Sequence, residues 1–178
     1  MDIFQIDAQG QLFIAPDIDD WQPVMACGIT AVFDLDSDID IGVPAVPDQL
    51  LYIYFPFEDR ELPNLAKLHA LAQLGALLVQ QGHRVLSHCG MGHNRSALLA
   101  GLILTYLGMP GAEAVALLRQ KRQGALYNKI FASYLQGLPH RAELEDSPSE
   151  AGRPTRTRFT EFKRSALSFE KPPPLCSA

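Results

Sequence analysis

The run Ser87-His88-Cys89-Gly90-Met91-Gly92-His93-Asn94-Arg95-Ser96 gathers the residue types of a thiol nucleophile and an anion cradle into one short loop. A thiol attacks as its thiolate, so Cys89 needs a positive surrounding. Successive backbone N–H groups over Gly90, Met91, Gly92, His93, Asn94 and Arg95 can curl into a nest that binds phosphate. The N-terminus of a following helix adds positive potential. Gly90 and Gly92 remove Cβ atoms from a tight turn and permit positive φ. Arg95, six positions after Cys89, offers a planar fork for two phosphate oxygens. The Ser96 hydroxyl can donate to the Cys89 sulfur, and His88 is expected to order the loop from beneath through its ring nitrogens. The chemistry predicted is phosphoryl transfer through cysteine, for which no metal or cofactor is required.

Such a loop needs a scaffold. Ile3, Phe4, Ile6, Leu12, Phe13 and Ile14 flank the turn Ala8-Gln9-Gly10-Gln11 and predict a small hairpin or two short strands. Asp19 or Asp20 can cap a short helix over 21–26, ended by Gly28. Residues 29–35 and 50–57 read as strands, and Pro56 puts the second at a strand end or sheet edge. Pro63 opens a helix over 64–81 with Gly82 as its stop. Residues 85–88 form a short buried strand, followed by an apolar helix over 95–107. Pro110 starts a helix through 112–122, and Asn128 caps a last one to Leu135. Strands alternating with helices predict the α/β class: a single domain with a central mixed sheet flanked by helices, and the phosphate-binding loop between a strand and a helix.

Composition is that of one globular domain. The chain has 178 residues, 47% hydrophobic and 20% charged, with net charge -5. Residues 1–140 read as the catalytic domain and 141–178 as a polar, Pro/Ser-rich tail. The tail holds 7 Lys+Arg and 6 Asp+Glu, leaving 8 and 14 in the body. This acidic balance disfavours nucleic acid or an anionic membrane as partner. The three cysteines, Cys27, Cys89 and Cys176, are too few and too scattered for a disulfide framework. With no signal sequence or spanning segment, a cytoplasmic monomer is expected.

The pattern His88-Cys89-x-x-Gly92-x-x-Arg95-Ser96 resembles the phosphate loop of the cysteine-dependent dual-specificity phosphatases of the protein tyrosine phosphatase superfamily, and the likeness extends over about residues 1–138. It implies hydrolysis of a phosphorylated protein, at tyrosine and serine/threonine, through a phosphocysteine. It also implies an aspartate on an upstream loop that protonates the leaving group. Within Phe55-Pro56-Phe57-Glu58-Asp59-Arg60-Glu61, Asp59 best matches the family's Pro-x-x-Asp pattern, with Glu58 and Glu61 as alternatives. Other substrates stay open: a small phosphorylated metabolite, a nucleotide or an RNA 5′ end. So does a catalytically silent phosphopeptide-binding module. The loop interior carries no lysine, which weighs against phosphoinositides.

Several other constellations carry less. Asp34, Asp36, Asp38 and Asp40 resemble an aspartyl nucleophile motif or a calcium loop, but Asp38, Ile39 and Ala45 stand where those patterns need other residues. A solvated acidic loop is the expectation. His69, His83 and His140 are expected at the surface, and Arg119-Gln120-Lys121-Arg122 on a solvated helix face. Cys27 is a small buried hydrophobe, with a protective disulfide to an oxidised Cys89 as the alternative.

Overall fold

The inner strands of the sheet are buried on both faces, and the architecture follows from that. The structure, a computed structural model, describes residues 1–139. The elements run β1 (Phe4–Gln5), β2 (Leu12–Ala15), α1 (Gln22–Ala26), β3 (Ala31–Asp34), β4 (Leu51–Tyr54), α2 (Leu65–Gln80), β5 (Val85–His88), α3 (Arg95–Tyr106), α4 (Gly111–Lys121) and α5 (Lys129–Gln136). They form a five-stranded mixed sheet in the order β1-β2-β5-β3-β4. β1 is antiparallel to β2, and the other neighbours are parallel. The α/β fold expected from the sequence is therefore present. The predicted 29–35 and 50–57 strands are shorter than expected, because pairing ends where Asp34 and Tyr54 give way to loops.

Period-two alternation sorts the strand residues between two cores. Leu12, Ile14, Ala31, Phe33 and Val85 join the larger core with α2, α3, α4 and α5. Phe13, Ala15, Val32 and Leu86 join the smaller one with Trp21, Val24 and Cys27. Helix α3 is buried continuously from Ser96 to Leu104, so it runs through the middle of the larger core. Burying one such leucine or isoleucine contributes about 1.5–3 kcal/mol. Gly75 and Gly101 are where neighbours close in: an added Cβ would stand 2.6 Å from Ile103 and from Leu135, respectively.

Registration sets up the site. His88, the last residue of β5, pairs with Ala15 on β2 and with Asp34 on β3. Three parallel strands thus end level, and the 89–94 loop leaves the sheet between the chain segments after Ala15 and after Asp34. The cap expected from Asp20 is made one residue early: its carboxylate accepts from Gln22 N at 2.9 Å, while Trp21 is the cap position. Asn64 and Asn128 cap α2 and α5 through their side chains. No helix among the described residues is long and apolar enough to cross a membrane.

Candidate active site

The loop's carbonyls are drawn outward. Cys89 O accepts from Gly92 N (3.2 Å), Gly90 O from Asp17 N (3.4 Å) and His93 O from Leu126 N (2.9 Å). Met91 O accepts from Arg122 Nη2 at 3.4 Å. The N–H groups of Gly90, Met91, His93 and Asn94 donate to no described residue. Tied carbonyls and free N–H groups on one loop leave donors available to an anion. Gly92 allows the curl: its φ is +64°, and a Cβ there would lie 2.7 Å from backbone atoms of Ala15 and Pro16.

Cys89 is a free thiol, 2% exposed. Its Sγ hydrogen-bonds Ser96 Oγ at 3.5 Å. Cys27 is disulfide-bonded rather than the simple buried thiol expected, and Cys89 takes no part in that bond, so the alternative pair is not formed either. Arg95 stands in the first turn of α3. Its Nη1 donates to Leu35 O (3.0 Å) and Phe57 O (3.3 Å). Its Nη2 pairs with Asp36 Oδ1 at 3.0 Å. Its buried Nε has no acceptor and remains available to an anion.

Asp59 belongs to the segment after β4. Its Oδ2 accepts from Asn94 Nδ2 at 2.7 Å and its Oδ1 from Asn128 Nδ2 at 3.0 Å. Asn94 Oδ1 in turn accepts from Asn128 N at 3.0 Å. Two buried or half-buried amides therefore tie the Asp59 segment to the phosphate loop and to α5. Asp59 and Arg95 line the same open cleft of about 540 Å³, with Ser37, Phe57 and Glu58. Two larger cavities, about 710 and 750 Å³, are lined by no residue of the 89–95 loop.

Other expectations need correction. The ring of His88 makes no hydrogen bond to the loop; it is fully buried beside Asp34 and Asp40. Arg122 is not on a solvated face: it supports Met91 O, approaches His93 Nε2 at 3.3 Å and lies over the Phe4 ring. Burial, with Arg122 second, lowers the pKa of His93. His69 is half-buried between the Tyr106 and Tyr134 hydroxyls; His140 lies outside the described residues. Asp36, Asn94's amide bridge and Asn128 escaped the sequence reading as parts of a site. Contacts between side chains 34 to 69 positions apart leave no spacing signal.

No family model matches the chain, and no curated protein sequence does. Its fold has solved counterparts. Human DUSP28 superposes with a TM-score of 0.62 at 22% identity, covering 75% of this chain and 90% of that one. A human tyrosine phosphatase-like serine/threonine/tyrosine-interacting protein gives 0.61 at 23%, covering 75% and 93%. PTPMT1 in complex with PI(5)P gives 0.61 at 16%, covering 75% and 92%. The chain shares the fold of these dual-specificity phosphatase structures.

Proposed function

We propose that this protein is a cysteine-dependent phosphatase acting on phosphate monoesters. Cys89 Sγ attacks phosphorus in line; the S–P bond forms as the P–O bond breaks, and Asp59 gives its proton to the leaving oxygen. Water then attacks the phosphocysteine and loses its proton to Asp59. The S–P electron pair returns to Cys89, whose departing thiolate is met by the Ser96 hydroxyl. Arg95 and the loop N–H groups hold the equatorial oxygens throughout. What supports this reading is that one short segment, residues 89–95, carries a buried free thiol, unpartnered loop N–H groups and an arginine with an unpartnered Nε.

A phosphorylated protein, at tyrosine and serine/threonine, is the substrate we favour. The loop interior has no lysine to hold a second phosphate, Glu58 and Asp59 line the cleft, and Asp36 pairs with Arg95. The alternative is a silent phosphopeptide-binding module; one structural counterpart is a tyrosine phosphatase-like interacting protein. Cys89, Arg95 and Asp59 together favour turnover.

The test is hydrolysis of p-nitrophenyl phosphate and of a phosphotyrosine peptide. Cys89→Ser should abolish both. Asp59→Asn should lower kcat about 10²–10⁴-fold on the peptide and flatten the alkaline fall in its pH profile. Peptide binding without turnover by the unaltered chain would favour the silent module.

A further inference from the structure

A second polar cluster lies under the sheet, on the α1 side, away from the phosphate cradle. Asp34 and His88 end adjacent strands and are both fully buried; Asp40 comes from the 36–50 loop with its side chain 6% exposed. His88 Nε2 is 2.9 Å from Asp40 Oδ2 and 3.7 Å from Asp34 Oδ1. One ligand atom from each residue falls within 4.8 Å of the others. We propose that Asp34, Asp40 and His88 bind one divalent cation of zinc size, which pins the 36–50 loop to the base of the catalytic strand.

Three observations lead there. First, His88 Nε2 makes no hydrogen bond despite its closeness to Asp40, and it is fully buried. Second, protons are short. The Tyr52 hydroxyl is 2.5 Å from Asp34 Oδ2 and 3.1 Å from Asp40 Oδ2, yet it has one proton for both. The two buried carboxylates therefore share a single hydroxyl donor. Third, the dimensions suit. Tetrahedral ligands about 2.0–2.2 Å from a zinc ion stand about 3.3–3.6 Å apart, and the 2.9 and 3.7 Å separations straddle that range.

The donor set of two carboxylates and one imidazole fits zinc or its first-row neighbours. Magnesium would keep several waters, for which a site this buried leaves little room. The supporting bonds are those of an outer ligand shell. Asp36 N donates to Asp34 Oδ1 at 2.9 Å, and Tyr52 bridges the two carboxylates. Asp40 N donates to Tyr52 Oη, and Trp21 Nε1 donates to Ile41 O at 3.1 Å, so the loop carrying Asp40 is already held in place.

The test uses the full chain, stripped with chelator, desalted and titrated with Co²⁺ under visible absorption, then with Zn²⁺ as competitor. One equivalent of Co²⁺ should bind with nitrogen/oxygen-type d–d bands, without sulfur-to-metal charge transfer, and Zn²⁺ should displace it. Asp40→Asn, checked for folding by circular dichroism, should lower affinity at least tenfold, and Cys89→Ser should leave binding unchanged. Absence of stoichiometric binding to the unaltered chain would overturn the proposal. So would charge-transfer bands that vanish in Cys89→Ser, which would put the ion on the nucleophile. Should Asp40→Asn not fold, the bands of the unaltered chain and of Cys89→Ser still decide.

Discussion

At the scale of single residues, the phosphate loop depends most on Gly92. Its φ of +64° costs a side-chain residue about 1–2 kcal/mol. The backbone of Ala15 and Pro16, 2.7 Å from an added Cβ, cannot move aside as a side chain would. Gly92→Ala should therefore lower turnover by about 10²-fold or more, the scale of a 1 Å misplacement, and lower Tm. Gly108 is the control: its φ is +99° but nothing lies within 4 Å of its Cβ position, so Gly108→Ala should lose some Tm and keep its kcat. Equal activity in the two variants would mean that the loop is not held as described. Cys89, Arg95 and Ser96 were legible because they are neighbours in sequence with fixed offsets. Asp36 on Arg95 was not, since an aspartate in an acidic run looks solvated until the fold brings a guanidinium to it.

At the scale of elements, helix α3 was readable from its unbroken apolar run, because a helix buried on all sides has no polar face to hide its length. The end of α4 was not. Arg122 has the composition of a surface residue, and only the crossing of α4 beside the 89–94 loop turns it inward. That crossing has a pH signature. Burial first and Arg122 second hold the folded pKa of His93 below its ordinary 6.5. The unfolded chain then binds the extra proton more readily, so stability rises with pH through this window. Nothing is lost above about pH 6.5, and the penalty grows as the pH falls below it. Melting curves between pH 7.5 and 5 should show the unaltered chain losing more Tm than His93→Gln on acidification. Parallel losses would show that His93 is not responsible.

At the scale of the whole molecule, the two cores, the sheet and both polar clusters lie within residues 1–139. A chain ending at residue 139 is expected to keep its kcat on p-nitrophenyl phosphate. A loss of more than half of kcat would mean that the remaining 39 residues contribute to the site. The sheet's character was legible because strands buried on both faces lose their polar alternation, which β2, β3 and β5 show. Strand order and the level ends of β2, β5 and β3 depend on crossovers that no local pattern encodes. Those level ends are what put Asp34 beside His88 and Asp36 beside Arg95.

The central claim concerns the sulfur at position 89. Rapid acid quench of Asp59→Asn during turnover of p-nitrophenyl phosphate, with peptide mass analysis, examines it directly. One phosphoryl group should appear on the peptide containing Cys89, and none in the same protein carrying Cys89→Ser as well. Phosphate release that persists in Cys89→Ser, or a phosphoryl group found only on another residue, would contradict it.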